Sequence, residues 1–169
     1  MKEYIYIGKI VNTHGIKGEF RILSDSLIKD KVFIPNNYIY IGNDYTRYEI
    51  LSYRHHKDYE MITVNGINDI NDALKLKGLN VYFKRSDLNI SSDDYIIEDL
   101  LDCEVIEESK TLGKIIDILY NNNNILLKVS GTKDFYIPYK GDFIIKVDKD
   151  NKRVYTKNAK DLILWELIF

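Results

Sequence analysis

Residues 7–22 read Ile7-Gly8-Lys9-Ile10-Val11-Asn12-Thr13-His14-Gly15-Ile16-Lys17-Gly18-Glu19-Phe20-Arg21-Ile22, two β-like runs joined by a turn with two glycines three apart. Glycine is used where φ turns positive or where a backbone passes close to another group. Gly15 and Gly18 therefore predict a tight, shaped strand connection. The turn carries His14, Lys17 and Glu19, and Arg21 follows on the second run.

Outward from this hairpin the first half reads as short strands. Tyr4–Val11 and Glu19–Leu23 flank the turn; Tyr38–Ile41 stops at Gly42-Asn43-Asp44; Arg47–Arg54 and Tyr59–Val64 are parted by His56-Lys57-Asp58. Alternation in Tyr4-Ile5-Tyr6-Ile7 and Tyr38-Ile39-Tyr40-Ile41 predicts one packed face and one wetter face. Short strands at this spacing favour a closed barrel, which leaves no exposed edge. One helix interrupts them: Asn68 or Asp69 caps it, Ile70, Ala73 and Leu74 sit at helical spacing, and Gly78 ends it before a strand over Leu79–Lys84.

Between Arg85 and Asp94 the chain turns polar and aperiodic, which marks a linker. Beyond it come β-like runs at Cys103–Ile106, Lys114–Tyr120, Ile125–Val129, Phe135–Pro138, Phe143–Val147 and Arg153–Thr156, with Asn121–Asn124 as a hairpin turn. The expected fold is mainly β: two small β-barrels in tandem with one short helix in the first. The boundaries are 1–86, a linker 87–94, and 95–169. A single larger α+β domain is the alternative.

No apolar run approaches the roughly 20 residues of a membrane span, no export signal is legible, and Cys103 is the sole cysteine. A lone thiol suits a reducing compartment, so the expected location is the cytoplasm, away from membranes. The 14 tyrosines accompany abundant Ile, Asn and Lys and scarce Ala and Pro, a bias set aside here as a collective signal. Net charge is −2, split unevenly: residues 1–92 hold 13 Lys/Arg and 11 Asp/Glu, and residues 93–169 hold 11 and 15. Nucleic-acid contact by bulk charge is excluded by that balance. Any RNA contact must be local, and a basic protein suits the second half.

The usual catalytic signatures are missing. There is no Gly-x-Ser-x-Gly elbow, phosphate loop or dinucleotide fingerprint. His55 and His56 are adjacent and point to opposite faces of a strand, and Cys103 has no ligand neighbour, so no metal, cofactor or catalytic residue is expected. Two features remain. His14, Lys17 and Arg21 can offer donors to phosphate, or can be a structural turn with solvated charges. The segment 93–108 has eight acidic residues in sixteen and no basic one, with Tyr95 near its start. An aromatic ringed by carboxylates is an anchor for a basic protein; the other reading is a linker and first strand with Tyr95 in the core.

The string HGIKGE at residues 14–19 closely resembles the opening of the ribosome maturation factor RimM family. Further pieces resemble it in order: residues 71–78 (NDALKLKG), Asp94-Tyr95-Ile96, Asp99-Leu100, Leu112-Gly113-Lys114, Ile137-Pro138-Tyr139 and residues 143–148. The resemblance implies an N-terminal translation-factor-like β-barrel and a C-terminal PRC-barrel. It also implies a non-enzymatic assembly factor that binds the free small (30S) ribosomal subunit and assists maturation of the 16S rRNA 3′ (head) domain. Its partner would be the basic head-domain ribosomal protein numbered nineteen. Asp94, Tyr95, Ile96, Glu98, Asp99 and Leu100 would meet that protein, and His14, Lys17 and Arg21 would contact rRNA. A direct RNA-binding barrel and an rRNA-processing enzyme are the rivals. Two positions depart from the family pattern. Ile96 stands where a second aromatic is usual, and Asp102 stands where a glycine follows the Asp-Leu pair, which leaves the local turn open.

Overall fold

Because isoleucines alternate with tyrosines in the first strand, that strand has an inner and an outer face. In β1 (Tyr4–His14), Ile5, Ile7 and Ile10 are buried, while Tyr6 and Lys9 are exposed. The structure, a computed structural model, describes residues 3–89, 95–121, 124–139 and 141–165. It divides into two compact units, Met1–Ser91 and Ser92–Phe169.

In the first unit β1 is followed by β2 (Glu19–Leu23), β3 (Tyr38–Ile41), β4 (Thr46–His56), β5 (Tyr59–Val64) and β6 (Asn80–Lys84). They close a barrel in the order β1-β2-β5-β4-β3-β6, every pair antiparallel. β1 is longer than its sequence suggests because register shifts at Ile10/Asn12 and Tyr6/Gly8 bend it to serve β2 and β6 together. Gly8 at the second shift lies so close to the Leu23 carbonyl that no Cβ fits there. Phe20, Ile22, Ile39, Ile50, Ile62 and Phe83 fill the interior.

Asp69 caps the anticipated helix: its carboxylate accepts from the backbone N–H groups of Asn71 at 2.7 Å and Asp72 at 3.0 Å. That helix spans Ile70–Lys75 and buries Ala73; Leu74, expected on the same face, is 45% exposed. A second short helix, Lys29–Val32, precedes it in the chain, so we label them α2 and α1. Four residues without a side-chain cap give no helical period to read, and α1 is held by the burial of Val32 and Phe33.

Near α1 the barrel buries a carboxylate. Glu60, 1% exposed, accepts from the Tyr53 hydroxyl (2.7 Å), Lys29 Nζ (3.1 Å) and His55 Nδ1 (3.2 Å). Burial and then the bond to Glu60 push the Tyr53 hydroxyl up to about 12. For Glu60 itself burial acts upward, but the bonds from Tyr53, Lys29 and His55 outweigh it and hold the carboxyl below its ordinary 4.5. A folded-state value below the unfolded one adds stability above the unfolded value, lost as pH falls through the folded one. Glu60→Gln is therefore expected to lower the urea midpoint at pH 7, with the deficit shrinking below about pH 4. A deficit that stays constant across that range would contradict the ionised cluster.

The second unit opens with a 3-10 turn at Ile97–Leu100, then β7 (Glu104–Glu107), β8 (Lys110–Asn121), β9 (Asn124–Gly131), β10 (Phe135–Pro138), β11 (Ile144–Asp148), β12 (Arg153–Thr156) and α3 (Ala159–Trp165). Its six-stranded, barrel-like sheet runs β10-β9-β8-β7-β12-β11. All neighbours are antiparallel except β7 and β12, which run parallel. Leu100, Val105, Leu127, Val129, Phe135 and Val154 are among its wholly or nearly wholly buried side chains. Buried Glu107 accepts from the Ala159 N–H at 2.8 Å and the Thr156 hydroxyl at 3.1 Å, which ties the start of α3 to the sheet. Of the apolar C-terminal segment, Leu162 and Ile163 pack on this core, and residues 166–169 lie outside the described residues. The mainly β architecture expected from the sequence is what the structure has.

Candidate functional site

The glycine turn between β1 and β2 takes its form from positive φ, 67° at Gly15 and 76° at Gly18. Gly18 is also pressed against α2: a Cβ there would stand 2.6 Å from the Asp69 carbonyl oxygen. The turn thus leans on the residue that caps the helix. This contact aims its tip, where Lys17 is exposed and Ile16 is 81% exposed.

Pairing of the strands sets His14 opposite Glu19 and Asn12 opposite Arg21. The Arg21 guanidinium donates to His14 Nδ1 at 2.9 Å. Since guanidinium only donates, Nδ1 accepts and the imidazole hydrogen is left on Nε2. Arg21 also lies 5.9 Å from the centroid of the Tyr59 ring, and its buried Nε has no hydrogen-bond partner among the described residues. Glu19 is occupied by Arg54, which makes a bidentate pair with it at 2.8 and 2.6 Å. The one acid of the turn is thereby neutralised, leaving Lys17 and Arg21 to set its field. Of the three predicted residues the structure joins His14 and Arg21, and Lys17 projects from the tip.

Sequence reasoning missed Ile16 and Arg54. Ile16 was legible as an apolar residue between two turn glycines; Arg54 comes from a distant strand and carried no signal.

The acidic segment of the second unit is more deeply engaged in its own fold than its sequence suggests. Asp94 lies outside the described residues. Tyr95 is half-buried against the core and hydrogen-bonded to Tyr139, whose hydroxyl is pushed well up by burial first, then by Tyr95 and the Glu98 charge. Asp99 accepts from the Ile96 N–H at 3.1 Å, closing the 3-10 turn, and Glu98 accepts from the Tyr120 hydroxyl at 3.4 Å.

Leu100 is 0% exposed within the core and Ile96 is 5% exposed. An apolar side chain enclosed by its own chain has no area left to bury against a partner. Neither residue is a surface contact here, and Tyr95, Glu98 and Asp99 are the accessible members. Tyr120, 40% exposed, and Tyr139 join them through β8 and the end of β10, too far along the chain for local pattern to find. Asp102 makes its turn at φ 67°, the left-handed conformation that Asp tolerates, and its side chain pairs with Lys114 at 3.2 Å. Buried Cys103 donates to the Asp99 carbonyl at 3.3 Å, and burial pushes its thiol up.

Comparison with known proteins bears on the whole chain. The RimM N-terminal domain family matches residues 5–88, and the RimM PRC barrel domain family matches residues 97–162. A protein of Staphylococcus aureus strain NCTC 8325 named ribosome maturation factor RimM is 36% identical over 164 residues, spanning 94% of this chain and 98% of its own. Its counterpart in strain JH9 is 35% identical over the same length. A crystal structure of a Pseudomonas aeruginosa 16S ribosomal RNA processing protein RimM is 21% identical, with TM-score 0.45 over 94% of this chain and 99% of that one. With both domain families matched in order and close relatives aligned end to end, this chain belongs to the RimM family of ribosome maturation factors.

Proposed function

We propose that this chain is a non-catalytic, cytoplasmic factor that binds the free small (30S) ribosomal subunit through the basic head-domain ribosomal protein numbered nineteen and assists maturation of the 16S rRNA 3′ domain. In this reading residues 1–86 and 95–169 act as two modules joined by 87–94. The observation that carries it is the surface where Tyr95, Tyr120 and Tyr139 adjoin Glu98 and Asp99. Partly exposed rings supply burial, and the carboxylates orient a basic partner and speed its approach. Ile96 and Leu100 support this surface from beneath. In the same reading Asp94 belongs to the acidic segment that meets the basic protein, and His14, Lys17 and Arg21 hold rRNA phosphates. A factor of this kind captures one conformation of protein and RNA and shifts the population toward it without a chemical step.

The test is co-sedimentation of the tagged protein through a sucrose gradient of cell lysate. Wild type is expected on free small subunits and absent from full ribosomes. Tyr95→Ala is expected to weaken subunit binding by about 2 kcal/mol, roughly 30-fold, as for an aromatic anchor. Wild type remaining at the top of the gradient, with immature subunits present, would overturn the assignment. A folded Tyr95→Ala variant that binds as well as wild type would remove the anchor alone.

A further inference from the structure

The barrel of the first unit carries a cluster of tyrosines on its outward positions, one of which, Tyr40, is buried at 9% exposure. β6 lies between β1 and β3, and its Tyr82 is in register with Tyr6 on one side and Tyr40 on the other. All three side chains belong to the outer face, since the residues alternating with them (Ile5, Ile7, Val81, Phe83, Ile39 and Ile41) are buried inside. Tyr6 and Tyr82 meet edge to face with centroids 6.0 Å apart, and Tyr4 meets Tyr40 likewise at 5.0 Å. From the β3–β4 turn, Tyr45 at φ 52° folds back over this face, stacked on Tyr4 at 4.2 Å and edge-on to Tyr82 at 5.0 Å. Beside them the Arg47 guanidinium lies 3.6 Å over the Tyr38 ring. Tyr6 is 52% exposed and Tyr45 38%.

The geometry points to a stacking platform for the bases of single-stranded RNA on the outer face of β1, β6 and β3. The outward positions directly flanking these rings are Lys9, Asn80, Lys84, Arg47 and Glu49, while the aliphatic side chains Val11, Leu51 and Leu79 lie further along β1, along β4 and before β6. A face built of flat rings and a guanidinium plane suits other π-faces, and base–aromatic stacking tolerates any sequence. A docking surface for an apolar protein helix would carry Leu, Ile or Met at these places. Charge is nearly balanced here: Lys84 pairs with Glu3 at 3.4 Å, while Asp25 and Asp87 lie near enough to push the Tyr6 and Tyr40 hydroxyls up, after burial, which contributes most. Bases rather than phosphates therefore provide the hold, and the affinity depends only weakly on salt. This site belongs to the first unit and stands whether or not the surface around Tyr95 docks a protein.

The experiment titrates the full-length chain into fluorescently labelled hexauridylate and hexaadenylate and reads anisotropy at several salt concentrations. Both oligonucleotides are expected to bind, with a log–log salt slope of about −0.7, the value for one phosphate contact on a single strand. Tyr6→Leu and Tyr82→Leu each weaken binding about tenfold, and Tyr6→Phe stays within about twofold because the flat ring is kept. Tyr6 is half in solvent, so its variants keep the fold, as thermal melting of each will show. Leucine variants that bind as well as the phenylalanine variant would overturn the platform. So would an absence of binding, or a Lys17→Ala, Arg21→Ala double variant that abolishes binding with a steep salt slope while the tyrosine variants retain it.

Discussion

Replacing Gly18 with alanine is expected to cost the first unit about 3 kcal/mol, while the same change at Gly15 costs only about 1 kcal/mol. Both glycines have positive φ, so both substitutions carry the left-handed penalty of about 1–2 kcal/mol. Gly15 has nothing within 4 Å of an added Cβ, and the penalty ends there. At Gly18 the new methyl would stand 2.6 Å from the Asp69 carbonyl oxygen and 3.2 Å from Ile67 Cγ2. Relieving that contact moves the residue whose carboxylate caps α2 and whose carbonyl accepts from the Ala73 N–H at 3.2 Å. A lost cap adds about 1 kcal/mol or more. Urea unfolding of the two variants, followed by circular dichroism, checks the difference. Equal losses at the two positions would show that the turn does not lean on the helix cap.

Leu100→Ala is expected to remove about 3 kcal/mol from the second unit, within the 2–5 kcal/mol range for emptying a buried leucine. Leu100 is 0% exposed, in a core shared with Ile97, Val105, Ile115 and Leu127. In a domain of this size such a loss lowers Tm by more than about 10 °C. Leu100→Met, which conserves volume, should cost under about 1.5 kcal/mol. Tyr95→Ala in the same segment should act mainly on subunit binding and leave Tm much closer to wild type, since Tyr95 is only half-buried. Melting curves of the three variants, set beside their sedimentation, separate support from contact. A Leu100→Ala protein that melts normally yet fails to sediment with subunits would return Leu100 to the interface.

Most strands were legible because each carries its own period and its own stop. Tyr38–Ile41 alternates and meets Gly42-Asn43-Asp44; Glu19–Leu23 follows two glycines; residues 69–75 have a capping aspartate and a buried alanine. The four-residue α1 has neither a cap nor a full period, and its stability comes from the pocket that takes Val32 and Phe33. Strand direction leaves no local mark, so the parallel pairing of β7 with β12 was not readable. For the candidate sites, residue types were legible and accessibility was not. Leu100 and Tyr95 look alike as apolar members of an acidic segment, and only packing separates them. The abundance of tyrosine, uninformative as a count, gained meaning from position, with Tyr6, Tyr82 and Tyr40 in register on neighbouring strands.

From its sequence alone this protein's mainly β character, its hairpin of two glycines, its family and its uneven charge were all determined, because these rest on local period, turn chemistry and the order of short motifs. Tertiary structure alone decided that Arg54 silences Glu19, that Glu60 is buried among three donors, and that Ile96 and Leu100 face inward. It also decided which tyrosines share a face. Each of these depends on residues distant in the chain meeting through strand register and close packing, and no local pattern encodes such meetings.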